Sequence, residues 1–273
     1  MTLSEEGSTN NRDRGFVSSL ARGFAILGAF SPSRVTMSAG DIARATGLPK
    51  STITRLCYTL VKLGYLMFRD DRGHYQLHPK ILTLGYPVLA TVDRRHVAVP
   101  LMQALADHSG GTVSLGIRDD LSMILIERSR NRTVRALPLD IGSRLPLAST
   151  AMGRAYFASA REVERKEILD LYQDRHPERA EEIRDTLQQS VLQYRGFGYC
   201  KAIGSWEHDV CAVGAAVRLS SETLAAFNCG GPVSRLPLDR LDEYGERLAR
   251  LALDFQTSEW IGQLPPRQES EGL

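Results

Sequence analysis

The chain has 273 residues, of which 42% are apolar and 24% charged, with a formal net charge of +2. That is enough length and apolar content for two ordinary globular domains with their own cores. No apolar run is long enough to span a bilayer, and the start, MTLSEEGSTNNRDRG, mixes acidic and basic residues, unlike a signal peptide; a cytoplasmic protein is the expectation. The small net charge hides an asymmetry. Residues 1–80 hold 11 Lys and Arg against 6 Asp and Glu, net +5, and the remainder is net −3.

Residues 1–15, rich in Ser, Asn, Asp and Arg, predict a disordered arm. Ser18 to Leu27 has helical apolar spacing and predicts a first helix, ended by Ser31-Pro32. Ser38 to Leu66 reads as two helices joined by a tight turn. Ser38-x-x-Asp41 is a capping box, Ile42 and Ala45 share the inward face of a short helix, and Gly47 ends it. Pro49 suits the first position of the next helix, whose apolar stripe is Ile53, Leu56, Leu60 and Leu63 with Cys57 beside it. The opposite face carries Lys50, Ser51, Thr52, Thr54, Arg55, Tyr58, Thr59 and Lys62, with no carboxylate. A helix that enters the major groove must hydrogen-bond phosphates and base edges without adding negative charge, and this face meets that condition. Strands at Tyr65–Arg69 and His74–Leu77 flank the turn Asp70-Asp71-Arg72-Gly73, and a helix pair followed by a basic-tipped hairpin is a winged helix-turn-helix. The expected DNA-binding set is Lys50, Ser51, Thr52, Thr54, Arg55 and Tyr58, with Arg22 of the first helix and Arg72 of the hairpin tip.

After the wing, one or two helices are predicted from Pro79 to about Ser109, interrupted or kinked at Pro87 and Pro100. The first part is a linker in which Asp93-Arg94-Arg95-His96 is a solvated patch. Its apolar residues Ile81, Leu82, Leu84, Leu89, Val97 and Val99 are expected to pack on a second subunit. From Gly110 the period changes to strands: Gly111–Asp120, Leu121–Arg130 and Asn131–Asp140 form an antiparallel meander. A helix starts at Ser149-Thr150, helices follow over Glu162–Tyr172 and Pro177–Tyr194, strands return at Gly196–Ile203, Val210–Leu219 and Thr223–Gly231, and Leu238–Trp260 is a last helix. The fold class is α+β, with a curved sheet and flanking helices. The expected division is a DNA-binding domain at 16–78, a linker helix at 79–99, an effector-binding and oligomerisation domain at 100–262, and a flexible tail at 263–273.

Catalytic motifs are missing: there is no G-x-S-x-G, P-loop, strand-linked G-x-G-x-x-G or H-E-x-x-H. Cys57, Cys200, Cys211 and Cys229 form no C-x-x-C pair, and Cys200, His208, Asp209 and Cys211 match no standard zinc spacing. No enzyme, metal or cofactor is therefore expected. Arg128, Arg130, Arg132 and Arg135 read as a solvated cationic face or as a source of one partner for an effector carboxylate. Thr150 with the amides of Ala151 and Met152 is either an anion site or an ordinary helix cap.

The motifs LARGFAIL, GLPKSTITRL, LVKLGYL, YQLHPKILTLG, PLASTAMGRAYFA, YRGFGYC and FNCGGP together resemble the IclR family of bacterial transcription regulators, over about Phe16 to Trp260. The resemblance implies an N-terminal winged helix-turn-helix, a linker helix and a GAF-like effector domain. It also implies dimers, or dimers of dimers, on palindromic operators, with small organic acids or aromatic metabolites as effectors. Where many members carry an acidic residue, a Cys and a Pro, this chain has Ala202, Ala212 and Ala216, and Asn228-Cys229-Gly230-Gly231 replaces Ser-x-Ser-Gly. A larger, partly apolar effector is implied, in a pocket between Thr150, Ala151 and Met152 and the strands bearing Cys200, Ala212 and Asn228, with Trp206 over an aromatic ring. The function expected is an effector-controlled, sequence-specific DNA-binding regulator. The alternative is an architectural DNA binder whose C-terminal domain only mediates oligomerisation.

Overall fold

The computed structural model describes residues 15–257 except 32, 70–71, 92–94, 132–138 and 221–222, and except the side chains of 88–97. The expected disordered arm and tail, Pro32, Asp70-Asp71, the solvated linker patch, Arg132, Arg135 and Trp260 lie outside that set. The chain divides between Thr91 and Val92 into two compact units.

In the first unit, α1 (Ser18–Gly28) is followed by β1 (Thr36–Ser38), α2 (Ala39–Thr46), α3 (Lys50–Lys62), β2 (Leu66–Arg69), β3 (His74–Leu77) and α4 (Leu82–Thr91). The capping box forms as expected: the Ser38 hydroxyl accepts from Asp41 N at 3.1 Å, and the Asp41 carboxylate accepts from Ser38 N at 2.9 Å. Gly47 closes α2 in the left-handed region, φ 71°. Pro49, at ψ 144°, stands one residue before α3 as its cap instead of at its first helical position. The buried line of α3 also differs from the expected stripe. Ile53 and Cys57 are fully buried, whereas Leu63 is 52% exposed, because ten residues beyond Ile53 the helix has turned about 80° away from the core. Ile26, Met37, Ile42, Ile53, Cys57 and Leu66 form this core. Strand β1 is absent from the expected elements; three residues give too little alternation to read, yet Met37 is buried and β1 pairs β3 antiparallel to complete a sheet in the order β1-β3-β2. The unit is a winged helix-turn-helix.

Replacing Ser38 by Ala is expected to cost the first unit about 1 kcal/mol, read as a lowered unfolding midpoint; an unchanged midpoint would show that the cap contributes nothing. Hydrogen bonds from Ser38 lower the Asp41 pKa to about 2, with Arg44 adding to the effect. A carboxyl lowered on folding stabilises above its ordinary pKa, so this contribution is lost as pH falls from about 4 toward about 2.

The second unit contains α5 (Arg95–Ser109), β4 (Thr112–Asp119), β5 (Ser122–Arg130), β6 (Arg144–Pro146), α6 (Ala151–Ser159), α7 (Glu162–Arg175), α8 (Ala180–Phe197), β7 (Cys200–Ile203), β8 (Val210–Arg218), β9 (Leu224–Pro232) and α9 (Leu241–Thr257). Pro87 and Pro100 lie inside α4 and α5, and neither ends its helix. The strands form one antiparallel sheet, β6-β5-β4-β9-β8-β7. Most of the strand expected over Asn131–Asp140 lies outside the described residues, and the strand that pairs β5 is β6, further along. The strand expected from Gly196 starts only at Cys200, because Gly196 and Phe197 finish α8 before Gly198 caps it at φ 79°. The two sheet faces are covered differently. Phe227 packs edge-on against Phe255 of α9 at 5.8 Å. The other face meets α6 across glycines, and Met152, Tyr156 and Phe157 join Leu125, Leu145 and Ala226 in the larger core. This is the GAF-like α+β arrangement expected.

Candidate DNA-reading face and ligand cavity

The solvent face of α3 carries Lys50, Ser51, Thr54, Arg55 and Tyr58 exposed, with Thr52 half-buried. Capping at Pro49 leaves the first turn of α3 open, with Lys50, Ser51 and Thr52 at its start. Arg22 of α1 joins them: a cleft between the two helices is lined by Ser19, Arg22, Ser51, Thr52, Arg55 and Tyr58. Among the described residues, no carboxylate pairs with Arg22, Lys50 or Arg55. The face thus keeps its positive charge for an outside anion. Two hydroxyls are engaged internally. Thr54 donates to Lys50 O at 3.0 Å and Thr59 to Arg55 O at 3.1 Å. Lys62 lies 5.5 Å from the centroid of the Tyr58 ring. Arg72 is exposed in the turn between β2 and β3, apart from that cleft. Lys80 belongs to the architecture instead: its ammonium donates to Leu63 O at 3.0 Å and caps the C-terminal end of α3.

In the second unit the α6 face of the sheet holds a small cavity of about 50 Å³ that is partly open to solvent. Antiparallel register explains its lining. Arg128 stands opposite Ser114, Ser114 opposite Asn228 and Asn228 opposite Gly214, giving one row across four strands. Two residues along on the same face, Thr112, Gly230, Ala212 and Ala202 form a second row of small side chains. Thr150 and Ala151 close one side, and Trp206, from the loop between β7 and β8, closes another.

The structure brings Thr150, Ala151, Trp206, Ala212 and Asn228 together around this cavity. It does not bring Met152 or Cys200 there. The Met152 side chain lies in the core against Gly116, and Cys200 packs with Ala155 and Ala158, its thiol donating to Ser190 O at 3.4 Å. Burial pushes the Cys200 thiol up to about 12, which opposes a thiolate nucleophile. Cys211 points to the opposite sheet face and donates to Leu236 O, so the two cysteines cannot share an ion. The Thr150 hydroxyl acts as a helix cap, accepting from Gly153 N and donating to Pro146 O. Sequence reasoning does not place Ser114, Thr112, Ser149 or Leu145 at the site; only pairing register brings β4 and β6 beside β9, and register is a tertiary property.

Among the described residues no helix is long and apolar enough to cross a membrane. Residues 19–70 match the family model of the IclR helix-turn-helix domain, and residues 87–257 that of the bacterial transcriptional regulator IclR C-terminal region. The HTH-type transcriptional regulator TsaQ1/TsaQ2 of Comamonas testosteroni is 31% identical over 257 residues, 93% of this chain and 92% of that protein. A crystal structure of an IclR family transcriptional regulator from Brucella abortus aligns with a TM-score of 0.75 at 41% identity, covering 89% of this chain and 93% of that one. An IclR homologue from Microbacterium hydrocarbonoxydans, solved in complex with 4-hydroxybenzoate, shares the fold with a TM-score of 0.69 at 22% identity, over 88% of this chain and 98% of that one. With both of its parts matched in sequence and fold, this chain belongs to the IclR family of bacterial transcriptional regulators.

Proposed function

We propose that the chain is a cytoplasmic, sequence-specific DNA-binding regulator that is not an enzyme and is controlled by a small organic acid, aromatic or otherwise catabolic, bound in the second unit. The observation that carries this reading is the cavity. It combines an apolar floor with a few convergent polar groups, the usual make-up of a small-molecule site, in a chain whose other unit presents a cationic, carboxylate-free recognition helix. A homologue with 4-hydroxybenzoate bound in the same fold supports the ligand class. On DNA, Lys50, Ser51, Thr52, Thr54, Arg55 and Tyr58 face the groove, Arg22 and Arg72 face phosphates, and a homodimer or a dimer of dimers places two recognition helices on a pseudo-palindromic operator. In α4, Leu82, Leu84 and Tyr86 are 72%, 48% and 66% exposed, as a linker seam for a second subunit requires.

The test is a mobility-shift titration with the DNA upstream of the chain's own gene, run beside sedimentation at the same concentrations. Saturable, sequence-dependent binding by a species of at least two chains is expected. Full affinity from a single 30 kDa chain would overturn the dimer. Binding that ignores sequence would favour an architectural role.

A further inference from the structure

We propose that Arg128 and Ser114 form the seat for the ligand's carboxylate, so that the cavity selects a monoanion whose flat or apolar body lies on the floor of Gly230, Ala212 and Ala202 under Trp206. This rests on the cavity being the ligand site. Arg128 is the one charged side chain among the described residues that line it, and no carboxylate does. One cation among the described lining residues suits one negative charge; a second charge would meet no further cation among them. The guanidinium stays protonated at any working pH and offers a planar fork that a carboxylate can match with two parallel hydrogen bonds.

Ser114 supplies the independent observation. It is 4% exposed, stands opposite Arg128 in the register, and its hydroxyl has no hydrogen-bond partner among the described residues. Asn228, next in the row, is half-buried, and its side-chain amide likewise has none. Two neighbouring polar groups on one cavity wall therefore keep their hydrogen-bonding capacity for an oxygen from outside.

The competing seat is the start of α6, whose first turn lies close on β8: a Cβ at Gly214 would stand 2.2 Å from Ala151 O and 2.7 Å from Met152 N. The Thr150 hydroxyl is already engaged by Gly153 N and Pro146 O. The floor is built from small residues packed close to one another. A Cβ at Gly230 would come 2.8 Å from the Ala212 Cβ and 3.2 Å from the Asn228 amide nitrogen. Burial lowers the pKa of Arg128, while Asp140, exposed outside the cavity, acts in the other direction. A ligand carboxylate would offset the same cost of burial from within.

The experiment measures binding of benzoate, 4-hydroxybenzoate and cyclohexanecarboxylate, each beside its neutral amide, to the full chain by titration calorimetry. The proteins are the wild type, Arg128→Met, Arg128→Lys, Ser114→Ala and the cavity-filling Gly230→Leu. For Arg128→Met, the affinity of an acid that binds the wild type should fall about 10- to 100-fold, the scale of a lost charge-assisted hydrogen bond. Its amide should change by no more than about threefold, which also certifies that the variant folds. Arg128→Lys should fall between, and Ser114→Ala should cost the acid about fivefold. Equal losses for acid and amide, or none in Arg128→Met, would overturn the carboxylate seat while leaving the cavity as the ligand site. Acid binding that survives Gly230→Leu, or no binding of any acid to the wild type, would overturn the cavity reading and the seat with it.

Discussion

Gly153→Ala is expected to destabilise the second unit by about 3 kcal/mol or more, the upper end of what overpacking costs. A Cβ there would lie 2.1 Å from Leu147 O and 2.5 Å from Leu147 Cα, both backbone atoms that no side-chain rotation can clear. The glycine is buried in the first turn of α6, and its N–H donates to the Thr150 cap. Relief would require moving the segment that joins β6 to α6, and with it one wall of the cavity. Gly196→Ala is the matched control. Nothing lies within 4 Å of a Cβ at that position near the end of α8, and exchanging Gly for Ala in a helix is neutral to stabilising by up to about 1 kcal/mol. Thermal unfolding should separate the two in sign. Equal midpoints would mean that the approach of α6 to Leu147 is not the tight packing described.

Arg55→Ala carries the other large effect, on DNA. Arg55 is exposed on the face of α3, lines the cleft with Arg22, and is held by no carboxylate among the described residues. Loss of a bidentate hydrogen bond to a base should weaken operator binding by about 1–3 kcal/mol and relax preference at one position. Lys50→Ala should weaken all sequences alike and flatten the logarithmic salt dependence by about 0.9 for each phosphate left without its cation. Thr54→Ala should do little, since its hydroxyl is already bonded to Lys50 O. Operator binding by Arg55→Ala at wild-type strength would remove α3 as the reading helix.

The winged helix-turn-helix is almost completely legible in the sequence, because its signals are local. The Ser38–Asp41 box, Gly47 and the Ile53–Cys57 line each act within one or two turns of chain. The differences there are matters of phase and length: Leu63 fits the stripe by spacing, but the helical twist carries it off the core, and Met37 sits in a strand too short to alternate. The cavity is half legible. Thr150, Ala151 and Asn228 lie in motifs that resemble known ones, Ala212 is placed by comparison with the same family pattern, and Arg128 stands in a cationic run legible as a carboxylate partner, whereas Ser114 reaches the site only because β4 pairs both β5 and β9. Met152 and Cys200 are misleading through proximity in sequence. Each is close along the chain to a true lining position, but its side chain points into the core or to the α8 side.

If one unit reads DNA and the other controls that reading through a bound acid, the two affinities must be linked. The decisive experiment titrates the operator with wild-type chain, alone and with a saturating amount of whichever acid binds most tightly in the calorimetric panel. A ligand shifts an equilibrium only by its different affinities for the two states. Operator affinity should change by about 5- to 150-fold, and the acid's affinity should change by the same factor when operator is present. An acid that occupies the cavity yet leaves operator affinity unchanged would refute this control, and the second unit would then serve assembly alone.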